Sequence, residues 1–509
     1  MATVIPNVLH EDAQRLARKS SFSLFGKTIG YGLQFTYKFT VARFLGANLY
    51  GLFFLGLLFI NVGELLARLG LHYGVIRFVA LYKGQGDLRK SKAVIFQALK
   101  AVSGTALALS LFFLIFADAF IEKSYSDSNL ASVIRFLALG LPAGAIGWTL
   151  LSALEGLQAI PSAVSVRHFL QPLVMLSVTL LAFYAGWQLE GALLGYVVGL
   201  FAGMGGAVYF LRKEFPDGEI SADRNLPRSI LFRYSVPLFF VNLLQFLLLC
   251  VDAFFLGYFV SSREVGIYGV AMNLALVAAL ILDALNSIFT PMISDLYYRK
   301  EKEKLARLFE IATHWVFIPS LLFFLTILLF ADPLLGFFGR EFQAGREILA
   351  ILSFGILFHN VAGSVGAMLL MSGRQNVYLT NMIGVFVLRV AGNFFLVPRY
   401  GMWGAAIANA ASIVLLNLLM LGQVYVLLGM HPYSKSYLKP CLAGAVALIG
   451  TMSLQSILPN NQTPGGILIL VSFLFGSYFL TLYILGFSEE EKLLFTVMRK
   501  KIGQREHYM

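Results

Sequence analysis

The sequence predicts an all-α integral membrane protein of about fourteen transmembrane helices, arranged as two pseudo-symmetric six-helix lobes with two further helices at the C-terminal end. Three observations predict it. Of 509 residues, 58% are hydrophobic and 13% charged, an apolar share above the roughly one half of a soluble globular domain. Apolar runs of about 20 residues, each long enough to cross roughly 30 Å of hydrocarbon as a helix, recur from end to end. Short motifs also return at nearly one spacing in the two halves of the chain.

Taken in order, the runs place helices at 21–43, 50–70, 93–117, 131–154, 164–187, 191–212, 233–259, 265–290, 311–331, 346–371, 377–397, 402–428, 438–458 and 465–486. Lys and Arg fall in alternate loops: 28 on one side, 6 on the other and 5 inside helices. That asymmetry puts both termini in the cytoplasm and the chain, multi-pass, in the cell (inner or plasma) membrane. Because the basic residues sit in short loops, Arg77–Lys92, Arg212–Arg233 and Arg299–Arg307 above all, the net charge of +12 speaks for membrane orientation and against nucleic acid. Met1–Lys19 is too polar for a cleavable signal peptide. Cys250 and Cys441 lie within apolar runs and form no disulfide framework.

The recurring motifs set the organisation. Tyr50–Phe53 (YGLF) matches Val265–Tyr268 (VGIY) at an offset of 215, Leu154–Gln158 matches Met371–Gln375 at 217, and Leu189–Gly195 matches Met402–Ala408 at 213. An even number of helices per repeat keeps both copies in the same orientation, related by an axis along the membrane normal. The expected division is a cytoplasmic segment 1–20, an N-terminal lobe 21–212, a cytoplasmic link 213–232, a C-terminal lobe 233–430, two helices in 431–487 and a cytoplasmic tail 488–509. The tail is acidic first and basic later, which suits either an amphipathic surface helix or a solvated end.

Charged groups inside apolar helices are the functional clues, because each is disfavoured by about 2.5–3.5 kcal/mol unless it faces water or a partner. In the first helix Lys27, Tyr31, Gln34 and Lys38 fall on one face, ending near Arg43. They read as a cationic wall for a phosphate-bearing substrate, the alternative being two lysines that snorkel to opposite surfaces. In the second, Asn61, Glu64 and Arg68 share a face, and Glu64 with Arg68 reads as a structural ion pair at i, i+4. Asn242, Gln245, Asp252, Asn273 and Asp283 follow in the seventh and eighth helices, and Glu64, Asp252 and Asp283 are the candidate carriers of a proton or sodium ion. Asp252 is also consistent with a solvated position near a helix end. Arg389 and Asn393 form a deep polar pair in the eleventh helix, with Asp283 a conceivable partner for the Arg. Arg135 reads as packing, Pro142 as a kink, and His168 with Gln171 and His359 with Asn360 as satisfied interior groups. No His, Cys or carboxylate set has metal-site spacing, and neither a metal nor a cofactor is expected.

Several stretches carry a resemblance: ARFLGANLYGLF at Ala42–Phe53, VDAFFLGYFVSSREVGIYGVA at Val251–Ala271, SGRQNVYL at Ser372–Leu379 and VPRYGMWGAAIANA at Val397–Ala410. Together they resemble the polysaccharide-synthesis flippases of the MOP exporter superfamily, the O-antigen flippase type included, and the likeness covers nearly the whole chain. The resemblance implies two six-helix lobes around a central cavity that opens to either side in turn. It also implies a lipid-linked oligosaccharide on a polyprenyl diphosphate as substrate, moved from the cytoplasmic to the outer leaflet. Lys27, Tyr31, Gln34, Lys38, Arg43, Arg389 and Asn393 would then contact the head group. A lipid-linked peptidoglycan precursor flippase or a cation-coupled multidrug antiporter of the same superfamily is the alternative. A membrane glycosyltransferase, polymerase or ligase is disfavoured by outer loops of at most about fifteen residues with no paired loop carboxylates, since such enzymes commonly hold sugar and catalytic carboxylates in a sizeable loop or domain.

Overall fold

The computed structural model describes residues 4–121, 125, 127–215, 228–458 and 463–486, the side chains of 4–25, 27, 28, 120 and 228 excepted. The tail 488–509 and most of the link 213–232 lie outside the described residues. No strand occurs among the described residues. Among the described residues eleven helices are long and apolar enough to cross a membrane, or twelve counting one bent pair. Two of the eleven, Ile29–Arg68 and Gln375–Leu428, have 40 and 54 residues, about twice the length one crossing needs. Each is broken at a glycine of positive φ, Gly46 (69°) and Gly401 (52°). The count is compatible with fourteen crossings. Both glycines sit in the turns the sequence marks, where a side chain would be strained.

The chain forms two compact units, Met1–Gly266 and Ile267–Met509. The first contains α1 (Val4–Arg68), α2 (Leu71–Gly84), α3 (Leu88–Ile121), α4 (Asn129–Ala138), α5 (Leu141–Gly156), α6 (Ile160–Val164), α7 (Gln171–Tyr184), α8 (Leu189–Glu214), α9 (Arg228–Phe259) and the start of α10 (Ser262–Leu276). The stretch Arg77–Lys92, expected as a loop, is largely helical. Leu71, Val75 and Val79 recur every fourth residue and are buried, so α2 holds a packed face, and only Gln85–Asp87 turns. The kink at Pro142 is present: α4 and α5 meet at 44°. Proline has no N–H to give the carbonyl of Ala138, and the Ser110 hydroxyl donates to that carbonyl instead at 2.7 Å. α9, expected to open the second lobe, packs on α1 and α2 within this unit.

The second unit holds the rest of α10, then α11 (Ala279–Tyr298), α12 (Lys302–Gly336), α13 (Arg346–Ala362), α14 (Val365–Met371), α15 (Gln375–Leu428), α16 (Leu438–Ile457) and α17 (Pro464–Ile484). The expected eighth and tenth helices are each broken, at Val277–Ala278 and at Gly363. Side chains satisfy the opened backbone, as an apolar surrounding requires: Asn360 Nδ2 donates to the Ala278 carbonyl at 2.9 Å and to Ser320 Oγ at 2.8 Å. The two C-terminal helices dock on α12 through Leu322, Phe330, Ala443, Leu470 and Leu474, and the Tyr478 hydroxyl donates to the Ile318 carbonyl at 3.1 Å.

Equivalent corners of the two units repeat their chemistry. Asp87 pairs with Lys90 at 3.0 Å and Glu301 with Lys304 at 2.6 Å, an offset of 214. Asp118, near the end of α3, bridges to Arg135 at 3.0 Å, and Asp332, near the end of α12, to Arg346 at 2.8 Å. Arg135, read from sequence as packing, is therefore an ion-pair partner. Positive φ falls at Gln158 and Gly373 and at Gly186 and Gly401, each pair 215 apart. The structural offset is thus 214–215 at these positions, Arg135 and Arg346 excepted, which stand 211 apart, and the letter matches at 217 and 213 are displaced from 215 by two residues each. At the first motif the counterparts meet: a Cβ on Gly51 would lie 1.7 Å from the Ser262 carbonyl oxygen, and one on Gly266 2.0 Å from that of Ala47.

Candidate functional site

The stripe on α1 is open. Tyr31 and Lys38 are exposed, Gln34 is half-buried, and Arg43 is exposed one turn further on. Tyr37 and Val41, on the other face, are buried. The Lys27 side chain lies outside the described residues. Tyr31 meets His168 edge to face with ring centroids 5.6 Å apart.

His168 and its neighbour Arg167 stand in a π-helical turn, Ser165–Leu170, between α6 and α7. The turn has a local cause. Pro172 cannot donate to the carbonyl four residues back, that of His168, and the helix widens there.

The second half of α1 brings the other polar groups of this unit together. Arg68 Nε donates to the Glu64 carbonyl at 3.0 Å, and its guanidinium lies 4.7 Å from the centre of the Trp148 ring. Arg167 approaches the same ring at 4.2 Å and donates from Nη1 to Glu155 Oε1 at 2.9 Å. Its Nε and Nη2 are buried without a hydrogen-bond partner. Two guanidiniums on one indole are held by cation–π attraction, with the half-exposed Trp148 as shared platform.

The expected side-chain ion pair of Glu64 with Arg68 is replaced by this backbone contact. The Glu64 carboxylate turns to α5, where a Cβ on Gly144 would lie 2.0 Å from Oε1, and Oε1 is buried without a hydrogen-bond partner. Below it, the Tyr73 hydroxyl donates to Asn242 Oδ1 at 2.7 Å. Gln245 is exposed, and Asp252, for which the sequence also allowed a solvated position, is fully buried.

In the second unit Arg389 and Asn393 are both buried on α15, and Asn393 Nδ2 donates to the Arg389 carbonyl at 2.9 Å. Asp283 is exposed on α11. His359 Nδ1 stands 3.2 Å from Asn417 Oδ1, and the Ser364 hydroxyl donates to Asn286 Oδ1 at 2.6 Å. His359 is thus a bonded interior group, whereas Asn360, expected to be satisfied, bonds through Nδ2 but leaves its buried Oδ1 without a partner. The structure brings together Tyr31 with His168 and the Glu64 region with Arg68, Trp148 and Arg167.

Arg167, Glu155 and Trp148 were missed by the sequence reading. Arg167 lies close to a helix start and counts there as a loop cation, and Trp148 counts as apolar. The usable signal was an Arg and a His five and four residues before a proline in an apolar run.

Comparison with known proteins agrees with this architecture. The polysaccharide biosynthesis protein family matches residues 16–297, more than half of the chain, and the MatE family matches residues 237–395. The capsular polysaccharide biosynthesis protein CapF of Staphylococcus aureus is 27% identical over 186 residues, 36% of this chain but 46% of that protein's length. The probable low-salt glycan biosynthesis flippase Agl15 of Haloferax volcanii is 22% identical over 402 residues, 78% of this chain and 81% of it. Among solved structures, the lipid II flippase MurJ in an inward closed conformation superposes with a TM-score of 0.71 at 13% identity, over 92% of this chain and 98% of that one. With a family match over most of its first 300 residues and a fold shared with the lipid II flippase MurJ along nearly its whole length, the chain belongs to the polysaccharide biosynthesis protein family.

Proposed function

We propose that the protein is a flippase that carries a polyprenyl-diphosphate-linked oligosaccharide from the cytoplasmic to the outer leaflet by alternating access, for surface polysaccharide synthesis. It is a transporter and not an enzyme. Family membership and the glycan flippase among its relatives support the class. The observation that carries the reading is Lys38, exposed within an apolar membrane helix. Facing lipid alone, it would cost about 2.5–3.5 kcal/mol, so it faces water, a polar partner or an anion, and an anionic head group fits this reading.

In this reading the diphosphate meets Lys38, Tyr31, Gln34 and Arg43, with Lys27 on the same stripe. Arg389 and Asn393 contribute from the second lobe, and the polyprenyl tail remains in lipid. The lobes are residues 21–212 and 233–430, and both termini are cytoplasmic in the cell membrane, supported by the Lys and Arg asymmetry. A proton or sodium ion carried by Glu64, Asp252 or Asp283 couples the cycle.

The test is deletion of the gene followed by analysis of lipid-linked glycans with an impermeant probe of leaflet accessibility. Accumulation of a diphosphate-linked oligosaccharide on the cytoplasmic leaflet supports the flippase. Unchanged glycans with a new drug or cation sensitivity would move the protein to the antiporter reading that the MatE match favours.

A further inference from the structure

Where the chain leaves α15 and enters α16, a cavity of about 510 Å³ is lined by Tyr433, Ser434, Lys435, Tyr437, Leu438 and Cys441. Its chemistry is mixed in a particular way. The walls are mostly ring and aliphatic surface, with the Tyr433 and Tyr437 rings 5.6 Å apart. One cation, Lys435, lies exposed at the rim, and no acidic residue lines the cavity.

Ser434 stands at the N-cap of the 3-10 turn Lys435–Tyr437, where a serine hydroxyl ordinarily accepts a backbone N–H. Here it makes no cap bond, and its Oγ is buried without a partner. The turn leads directly into the 20-residue α16, whose first turn is the positive end of a helix dipole. A basic rim, an unused buried hydroxyl and a helix start all favour phosphate oxygens. A free phosphate would leave the apolar walls uncovered. A phosphate carrying acyl chains would cover them.

We propose that this cavity binds the phosphate of an anionic glycerophospholipid. Lys435 and Ser434 contact the phosphate, and the acyl chains lie against Tyr433, Tyr437 and Leu438. Tyrosines at this level match the preference of amphipathic rings for the membrane–water boundary. The site is distinct from the stripe on α1 and does not depend on which glycan is transported.

Cys441 supplies the probe. The chain has two cysteines; Cys441, in the cavity wall, is exposed, and Cys250 is buried. The purified full chain is placed in nanodiscs of phosphatidylcholine with or without phosphatidylglycerol, and Cys441 alkylation by the uncharged reagent N-ethylmaleimide is followed by mass spectrometry. The expected result is several-fold slower alkylation with phosphatidylglycerol. Lys435→Gln removes the difference, whereas Lys302→Gln, outside the cavity, preserves it. Inorganic phosphate added to the phosphatidylcholine discs leaves the rate unchanged.

Equal rates in the two lipids, or protection that survives Lys435→Gln, overturns the proposal. Equal protection by inorganic phosphate assigns the site to a soluble anion and overturns the lipid. If Lys435→Gln does not fold, Ser434→Ala takes its place with the same expected loss of protection. Native mass spectrometry of the unaltered protein gives an independent reading, and absence of any retained phosphatidylglycerol sinks the idea.

Discussion

Gly51 and Gly266, 215 positions apart and matched by the internal repeat, press their backbones together in a reciprocal contact. Gly51 abuts the carbonyl of Ser262, and Gly266 abuts that of Ala47, which is the counterpart of Ser262 at the same offset. Each side of the contact mirrors the other: a glycine Cβ position against a backbone carbonyl. The glycines of YGLF and VGIY thus let two helix starts cross with no side chain between them.

A Cβ at either position must displace a backbone carbonyl, which has no rotamer with which to yield. Gly51→Ala and Gly266→Ala are each expected to destabilise the protein by at least the about 1–3 kcal/mol of an overpacked core. Gly32, with nothing within 4 Å of its Cβ position, serves as the reference, and Gly32→Ala is expected to gain about 0.5–1 kcal/mol. Thermal unfolding in detergent distinguishes them, and equal midpoints for Gly51→Ala and Gly32→Ala would contradict the close approach.

Lys38 tests the transport reading. Lys38→Met keeps the length of the side chain and removes the charge, so expression and folding are expected to hold while translocation falls about tenfold or more, equivalent to roughly 1.4 kcal/mol of lost interaction. Export assayed in a deletion strain reads it. Undiminished export at normal expression removes Lys38 from the substrate path.

Glu64 and Gly144 are coupled by contact. Gly144→Ala drives a methyl group into the carboxylate and is expected to cost about 1–3 kcal/mol, whereas in a Glu64→Ala background most of that cost disappears. A double-mutant cycle on thermal stability measures the coupling, and strictly additive effects would show that the two do not touch.

The loop pairs at Asp87 and Glu301 predict a pH dependence. Backbone and side-chain hydrogen bonds from Lys90 hold the Asp87 carboxyl below its ordinary range, and the Lys304 side chain does the same for Glu301. A depressed value in the folded state stabilises above the ordinary range and is lost as pH falls through the lowered value. Both pairs lie at the surface, where solvent screens them, so the effect is small. The doubly substituted Asp87→Asn, Glu301→Gln protein is expected to melt slightly below the unaltered one at neutral pH, with the gap closing below about pH 4. A gap that persists at low pH would assign it to something other than charge.

The fold was largely legible because its main determinants are one-dimensional. Apolar runs of about 20 residues must be helices in a membrane, and Gly46 and Gly401 stood out because turns between such helices need positive φ. The Lys and Arg asymmetry was equally plain. What misled was local: Arg77–Lys92 looked like a loop by its charges, yet Leu71, Val75 and Val79 bury a helical face, and Arg77 on the opposite face is exposed. Arg167 and Trp148 escaped notice because a cation–π contact leaves no spacing in the sequence; it arises only when α5 and a π-helical turn are brought side by side.

The sequence by itself determined the class of protein, its helices, their repetition and the polar stripe of α1, because hydropathy and periodicity act through neighbours along the chain. Tertiary structure alone decided that the Glu64 carboxylate rests on Gly144 rather than on Arg68, that Arg68 and Arg167 share Trp148, that His359 meets Asn417, and that Gly51 meets Gly266. Each of these joins residues far apart in the chain, and which of several possible partners a buried polar group takes depends on helix packing at distances of a few ångströms.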